Sequence, residues 1–302
     1  MFKKSLAIVL LVFSFTAMAQ EKITLLWGFN PASNQANEFR ALAVEMNKMQ
    51  SKYEFVYDTK PGAGGAIAAH YVQQHPQTTL VGGSSSFFIR SNFDRATGYN
   101  VNDFQPVFVQ ALGAPVVLAS ARYHSLSEFQ ITDSVSVSMS GFGSHSNLMS
   151  SILNETYINL TVVNYTDLIA ANKDVMGRFV DAGWNWLSDA DPIIESGALN
   201  ALGITGTRNI KGYKTFASQG VKGFENVSMN TALFASTEMS AERVNEIYEL
   251  LRVANRAPAV QALYAKEYSI SPDFTQAQTR KWFAEQSKFW QEQSGKVKIL
   301  HE

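Results

Sequence analysis

The feature that most constrains the fold is a Pro/Gly-rich turn at residues 57–67, between a strand-like run and a helical pattern. Pro61 cannot donate to a sheet ladder, and Gly62 and Gly64 permit backbone angles closed to most residues. Such a turn leaves free N–H groups at the start of a helix, where they favour an anion. The same residues also suit a plain joint between a strand and a helix.

Strand and helix patterns alternate on both sides of this turn. Residues 23–29 form an almost continuous apolar run, as expected for a strand buried on both faces. Residues 39–46 place apolar side chains on one helical face, and residues 79–81 form a third strand. This order predicts a parallel sheet with helices on both sides. Because the pattern restarts near residue 135, we predict two α/β lobes followed by helices.

The first nineteen residues have the layout of a secretory signal peptide. Lys3 and Lys4 precede an apolar run at residues 6–15, and a small-x-small sequence ends at Ala19. The run is too short to span a bilayer. We therefore predict export to the periplasm with cleavage after Ala19.

Composition agrees with a bacterial periplasmic protein. Removing residues 1–19 leaves 23 basic and 26 acidic side chains, a net charge of −3, which argues against a nucleic-acid partner. The sequence has no cysteine, and the 283 remaining residues are enough to bury a core without disulfides. It also carries four Asn-x-Ser/Thr sequons, which would be inert in the periplasm.

Signals for catalysis or a cofactor are weak. The sequence has no Gly-x-Ser-x-Gly elbow, no P-loop and no complete dinucleotide fingerprint. No His/Asp/Glu group has metal-ligand spacing, so we predict no metal, no cofactor and no catalytic residue. The alternative is a secreted serine hydrolase that uses Ser144, next to His145, or Ser84.

Three loops at predicted strand ends share one property. Residues 30–35, 82–86 and 138–147 contain hydroxyls, amides and glycine N–H groups but no Asp or Glu. The carboxyl ends of strands form the ligand crevice of open α/β sheets, so these loops predict a cleft for an anion such as a carboxylate. Residues 184–186, Trp-Asn-Trp, suit a wall of that pocket. Each loop alone could equally be ordinary turn and capping residues.

Taken together, the motifs resemble those of the extracytoplasmic solute receptors of tripartite tricarboxylate transporters, the Bug or TctC family. The most distinctive is Lys60-Pro-Gly-Ala-Gly-Gly-Ala-Ile67, which is similar to the family's Arg-Pro-Gly-Ala-Gly-Gly-x-Ile. The others occur in the family's order and spacing: Ile23-Thr-Leu-Leu-Trp-Gly-Phe29, Arg40-Ala-Leu-Ala43, Tyr99-Asn-Val-Asn-Asp-Phe-Gln-Pro-Val107, Gly141-Phe-Gly-Ser-His-Ser-Asn-Leu148 and Gly197-Ala-Leu-Asn-Ala-Leu-Gly-Ile-Thr205.

The resemblance implies a two-lobed periplasmic binding protein fold, type II-like, in which each lobe is a sheet flanked by helices and two strands form the hinge. Lobe 1 would comprise residues 20–117 and 233–302, and lobe 2 residues 118–232. The protein would be a monomeric, non-enzymatic receptor that closes on a small carboxylate and delivers it to integral membrane transporter subunits. A ligand-sensing module for a membrane sensor is the alternative role.

The resemblance also assigns the ligand site to the loop after the first strand, the Gly-Ser loop and the Gly-Ser-x-Ser loop, to which Tyr165 and Asn185 are added. The predicted ligand-binding residues are Phe29, Ser33, Asn34, Gln35, Gly83, Ser84, Ser85, Ser86, Gly143, Ser144, His145, Ser146, Asn147, Tyr165 and Asn185.

The sequence departs from the family pattern mainly at this site. The first loop lacks both of the family's glycines, and Ala36 stands where the family commonly has Asp. Asn185 likewise replaces a frequent Asp. Because these changes remove two carboxylates that could bind a ligand amine, we expect a mono- or dicarboxylate without an amino group.

Overall fold

The computed structural model describes residues 20–93, 98–140, 144–156, 159–165 and 168–296, which form two five-stranded sheets and the helices around them. The strands are β1 (Glu21–Trp27), β2 (Tyr53–Thr59), β3 (Thr79–Gly83), β4 (Phe104–Ala114), β5 (Val116–Ser120), β6 (Val135–Met139), β7 (Leu160–Asn164), β8 (Ala182–Trp186), β9 (Asn200–Ile204) and β10 (Met229–Ser236). The α-helices are α1 (Asn34–Met49), α2 (Ala66–Gln74), α3 (Ser85–Phe93), α4 (Leu126–Gln130), α5 (His145–Thr156), α6 (Leu168–Met176), α7 (Leu187–Glu195), α8 (Ala241–Ala254), α9 (Pro258–Lys266) and α10 (Gln276–Lys296).

The first sheet has the strand order β2-β1-β3-β10-β4. Ile23 of β1 lies opposite Phe55 of β2, and Leu25 lies opposite Leu80 of β3. All four side chains are buried. Leu26 belongs to one hydrophobic cluster, whereas Leu25 and Trp27 belong to another, so β1 is buried on both faces, as the sequence predicted.

The second sheet has the order β7-β6-β8-β5-β9. Both sheets are mixed. The parallel pairing predicted for the first three strands is confirmed, because β1 is parallel to β2 and to β3. The strand β10 is antiparallel to β3 and β4, and β5 is antiparallel to β8 and β9. The local alternation of strand and helix identifies only the parallel βαβ units. It cannot identify a strand that joins a sheet after the chain has passed through the other lobe.

The chain passes between the sheets twice. It leaves the first sheet at Pro115, between β4 and β5, and returns between β9 and β10. The Pro115 carbonyl accepts a hydrogen bond from the Leu187 N–H at 3.0 Å, which ties the first crossing to the start of α7. The predicted lobe limits, 20–117 with 233–302 and 118–232, stay a prediction.

The helix α1 begins and packs as its sequence predicts. The Ser33 hydroxyl accepts a hydrogen bond from the Ala36 N–H at 3.2 Å and caps the first turn. Phe39, Leu42 and Met46 are completely buried against the first sheet. The capped start fixes the rotation of α1, and with it the direction in which its polar residues point.

The C-terminal helix α10 contributes to a hydrophobic cluster that contains side chains from both sheets. Phe234 of β10, Trp184 of β8 and Trp290 of α10 all belong to it. The Trp290 ring meets the His145 ring of α5 edge-on, with 5.5 Å between ring centroids. Thr275 and Gln278 form a capping box just before and within the first turn of α10, in which each backbone N–H donates to the other residue's side-chain oxygen.

The predicted signal peptide, residues 1–19, lies outside the described part of the chain. Within the part that is described, no helix has both the length and the apolar composition needed to cross a bilayer.

Two glutamates are buried beside the hinge strands. Glu38 of α1 accepts hydrogen bonds at Oε2 from Gln110 Nε2 at 2.7 Å and from Thr231 Oγ1 at 3.1 Å. Glu267, directly after α9, accepts one at Oε2 from Gln35 Nε2 at 2.8 Å. Both side chains are almost inaccessible to solvent, and both Oε1 atoms lack a donor among the described residues. Because a protonated carboxyl can donate to an ionised one, a single proton held between Glu38 and Glu267 is enough to satisfy both atoms.

Burial and the nearby Glu267 raise the pKa of Glu38 well above its usual value. Burial also raises the pKa of Glu267, to about 7. The folded state therefore holds a proton that the unfolded chain releases near pH 4.5. The stabilisation is complete below that pH and is lost as the pH rises through the folded-state value.

We predict that the free energy of unfolding falls between pH 5 and pH 8, and that Glu38→Gln removes most of this fall. Glutamine supplies a permanent donor to Glu267 in place of the titrating proton. One pKa unit corresponds to about 1.4 kcal/mol, so the wild-type decrease should be on the order of 2 kcal/mol. Urea unfolding at several pH values measures it.

Glu249→Gln is the matched control, because Glu249 is an exposed glutamate paired with Arg252 on α8. It should leave the wild-type pH dependence unchanged. Parallel stability curves for wild type and Glu38→Gln would contradict the shared proton.

Candidate ligand-binding cleft

A cavity of about 540 Å³ lies between the two sheets. Nine predicted ligand-binding residues line it, and both sheets contribute to its wall. They are Phe29, Ser33, Gln35, Ser84, Ser86, Ser144, His145, Ser146 and Asn185.

Five other predicted residues do not line the cavity, and Gly143 lies outside the described residues. Gly83 pairs with Ala232 inside the first sheet. The other four use their side chains in hydrogen bonds elsewhere. These bonds are Asn34 Nδ2 to Asp189 Oδ1 at 2.8 Å, Ser85 Oγ to the Ser228 carbonyl at 2.9 Å, Asn147 Nδ2 to Met139 Sδ at 3.2 Å and Tyr165 OH to Asp174 Oδ2 at 2.6 Å.

The loop after β1 is held by its own side chains. Ser33 Oγ accepts a hydrogen bond from Trp27 Nε1 at 3.2 Å in addition to its capping bond. The Trp27 and Phe29 rings pack with 4.9 Å between centroids. The loop lacks the family's glycines but is braced at both ends, and Phe29 and Ser33 lie on the cavity wall.

The Pro/Gly turn after β2 forms another part of the wall. Pro61, Gly62, Ala63 and Gly64 all line the cavity. Gly64 has a left-handed backbone with φ of 60°, and an added Cβ would lie only 1.7 Å from Arg90 Nε. Glycine is therefore required where the Arg90 side chain crosses the turn.

Arg90 lines the cavity and was missed in the sequence analysis. It lies on α3, four residues after Ser86, so the two side chains share one helical face. The sequence analysis considered only loops as ligand donors. The i, i+4 spacing from a predicted site residue could have identified Arg90.

The hydroxyl groups before α5 form a connected cluster. Ser146 Oγ accepts a hydrogen bond from the Ser140 N–H at 2.9 Å and lies 3.0 Å from Ser144 Oγ. Ser144 Oγ in turn accepts one from the Asn147 N–H at 3.1 Å. These three serine side chains are thus held in place before any ligand arrives, and all three face the cavity.

His145 is buried and neutral. Burial lowers its pKa to about 3, and its Nε2 atom has no hydrogen-bond partner in the described residues. No hydrogen bond joins the imidazole to Ser144 or Ser84 in that part of the chain. The geometry therefore gives no support to a Ser–His hydrolytic pair.

The junction of β8 and α7 forms the opposite wall. Trp184 donates a hydrogen bond from Nε1 to Ser150 Oγ at 2.9 Å, which fixes the indole. Asn185 is buried, and its Oδ1 atom has no donor among the described residues. The predicted pocket wall of residues 184–186 does line the cavity.

Asp189, in the first turn of α7, is a second lining residue that the sequence analysis missed. It is exposed as a residue, but desolvation still raises the pKa of Asp189, while Lys266 opposes the rise. The cavity therefore contains a carboxylate. The argument against an amino ligand considered only the changes at Ala36 and Asn185 and is incomplete.

Arg90 and Asp189 are the two charged side chains that line the cavity in the described ranges. The remaining lining groups are neutral hydroxyls, amides, aromatic rings and apolar side chains. No cluster of three His, Asp or Glu side chains that could hold a metal ion occurs in the same ranges. The chemistry of the cleft is therefore suited to hydrogen-bonded capture of a small polar ligand.

The sequence and the fold both have known relatives. A family model described as the tripartite tricarboxylate transporter family receptor, TctC, matches residues 38–299. A search of curated proteins found no significant match.

Solved structures show the same fold. MatC from Rhodopseudomonas palustris with bound malate is 22% identical, with a TM-score of 0.79 over 91% of this chain and 99% of that one. A second R. palustris protein, solved with adipate, is 20% identical, with a TM-score of 0.78 over 93% and 99%. The periplasmic binding protein BugD is 20% identical, with a TM-score of 0.76 over 90% and 97%.

We predict that His145 does not titrate between pH 8 and pH 5 in the folded protein. Its pKa of about 3 reflects burial, so the imidazole stays neutral until the fold itself opens. Long-range ¹H–¹⁵N NMR measures this directly, and the spectrum of His145→Asn identifies the resonance. A midpoint near the ordinary value of 6.5 would contradict the buried neutral state.

Proposed function

Because the chain belongs to the tripartite tricarboxylate transporter family of receptors, we propose that it captures a small mono- or dicarboxylate in the cleft and delivers it to an integral membrane transporter. The family consists of solute-binding receptors rather than enzymes. The observation that carries the proposal is that Ser84, from the first sheet, and Ser144, from the second, line the same cavity.

The chemistry of the wall suits a carboxylate. Hydroxyl groups and turn N–H groups can donate hydrogen bonds to an anion although they are uncharged. Arg90 adds one positive charge to the wall. Malate is present in MatC and adipate in the second R. palustris structure, and both are small dicarboxylates. These relatives support the ligand class and leave the individual ligand open.

Closure of the two lobes would complete the site. Hydrogen bonds cross between the lobes from Asn34 to Asp189 at 2.8 Å and from Tyr268 to Asp191 at 2.5 Å. In our proposal these bonds form when the lobes close about the two chain crossings. Closure removes water from the ligand, which strengthens each hydrogen bond to its carboxylate.

The proposed place of action is the periplasm, where receptors of this family operate. We propose that residues 1–19 direct export and are removed after Ala19. Intact-mass analysis of the exported protein should then find Gln20 at its N-terminus. We also propose that the receptor is a monomer, which sedimentation analysis can measure.

We predict that Ser84→Ala lowers the affinity for malate, succinate or adipate, whichever binds best, by roughly 10-fold. A lost hydrogen bond to a charged group costs about 1.5–3 kcal/mol. Ser84 is 4% exposed and its hydroxyl accepts only a long bond, 3.4 Å, from the Ser86 N–H, so the fold should tolerate the change. Isothermal titration calorimetry measures the dissociation constant.

The matched control is Ser196→Ala, because the Ser196 hydroxyl lies at the exposed end of α7 and bonds to the Ile193 carbonyl. It should bind as wild type does. The proposal is wrong if no small carboxylate in a broad panel raises the melting temperature or releases heat at millimolar concentration.

A further inference from the structure

We propose that Asp189 and Asn185 make the cleft selective for an amino carboxylate over the same acid without its amino group. This inference rests on the proposed function, carboxylate capture, and specifies the ligand class. Arg90 would hold the carboxylate at one wall, and the β8–α7 junction would hold the ammonium group at the other.

The two charged lining residues come from opposite lobes. Arg90 lies on α3, which packs with the first sheet, and Asp189 lies on α7, which packs with the second. Arg90 is placed by the left-handed turn at Gly64, where a side chain would displace its guanidinium. A zwitterion presents one charge of each sign, so it can complement both walls at once.

Among the described residues, Asp189 has no lysine, arginine or histidine within 4.0 Å of its carboxylate, whereas the nearby Asp191 is paired with Lys211. Asn34 donates to Asp189 Oδ1, and Lys266, whose charge opposes the rise in the Asp189 pKa, places its Nζ 3.4 Å from Asn34 Oδ1. Asp189 Oδ2 is thus available to a donor from the ligand, and desolvation raises the pKa of this carboxyl as expected for incomplete pairing.

Asn185 adds a second acceptor to the same wall. Its side chain is 3% exposed and lines the cavity, and Oδ1 has no donor among the residues that the structure describes. A buried amide oxygen without a donor is costly unless a ligand supplies one. An ammonium group carries three N–H donors, enough for Asn185 and Asp189 together.

A second carboxylate on the ligand would meet the opposite situation. It brings only acceptors, and a negative charge, to a wall that already presents Asn185 Oδ1 and Asp189. The same wall therefore disfavours a dicarboxylate without an amine, unlike the expectation from the sequence.

A structural role for Asp189 is the competing explanation. An acidic residue in the first turn of a helix is stabilising, and the Asn34–Asp189 bond also helps to hold the lobes together. Both effects act on every ligand equally, whereas binding of an ammonium group changes only the ratio between paired ligands. Matched ligand pairs therefore separate the two roles.

The experiment uses isothermal titration calorimetry on the chain from Gln20 onwards, with L-alanine against propionate and L-aspartate against succinate. Wild type should bind the aminated member of at least one pair about 10-fold more tightly. Asp189→Asn should remove that preference, and the affinity for the unaminated member should stay the same or increase. Arg90→Gln should weaken both members, because both carry a carboxylate.

Asn34→Ala is the control for the lobe contact, because it removes the donor to Asp189 and keeps the carboxylate. It should lower both affinities of a pair by a similar factor and preserve their ratio. Melting temperatures without ligand show whether each variant is folded. L-Malate tests whether a hydroxyl donor is enough: binding equal to L-aspartate, with an equal loss in Asp189→Asn, would overturn selectivity for the amine.

The inference also fails if propionate and succinate bind as tightly as their aminated partners and Asp189→Asn leaves the ratios unchanged. That result keeps the proposed carboxylate receptor intact. If neither pair binds and no carboxylate in a wider panel binds either, the proposed function itself is wrong, and the inference is wrong as well.

Discussion

The site depends on one constraint, the parallel register of neighbouring strands in each sheet. Trp27 of β1 lies opposite Gly82 of β3, so two residues further on Phe29 and Ser84 emerge at the same edge. Ser138 of β6 lies opposite Gly183 of β8, so Ser140 and Asn185 emerge together in the same way. All four residues line the cavity. The site residues are brought together by backbone pairing between the strands and not by contact between the loops.

Local hydrogen bonds then hold the serine side chains of the site. Ser33 caps α1 and also accepts from Trp27, and Ser146 accepts from the Ser140 N–H. The Ser33 hydroxyl only accepts in these bonds, so it retains its proton for an anion. The entropy of ordering these side chains is therefore lost during folding and not again on binding.

The sequence analysis predicted correctly the features that depend on local periodicity and turn chemistry. Phe39, Leu42 and Met46 were placed correctly because an i, i+3, i+7 face needs no knowledge of its partner. In α2, by contrast, Ile67 has the i, i+4 spacing of an apolar face with Tyr71, yet it is 49% exposed, and the helix instead buries small residues. Its Ala68 side chain comes within 3.1 Å of the position that a Cβ on Gly28 would occupy, so close approach to β1 decides which face packs.

The positions of two charged side chains in the fold explain why the sequence analysis missed them. Arg90 and Asp189 lie inside helices and not in the strand-end loops, each four residues after a predicted site residue. Apart from this four-residue spacing, nothing in either helix distinguishes a charge that faces a cleft from one that faces solvent. The reversal of β10 is similar, because its neighbours β3 and β4 are more than a hundred residues earlier in the chain.

The buried carboxyl pair connects the core to the cleft. Gln35 lines the cavity and donates to Glu267, and the next residue, Tyr268, adopts a left-handed backbone with φ of 57°. That conformation costs roughly 1–2 kcal/mol for a residue with a side chain. It directs the Tyr268 hydroxyl to Asp191 of the other lobe. The strain is therefore located where a contact between lobes compensates for it, and opening the lobes would remove that compensation. Gln35, Glu267 and Tyr268 connect the cavity wall to Asp191, so the lobe closure proposed above would couple this contact to an occupied cleft.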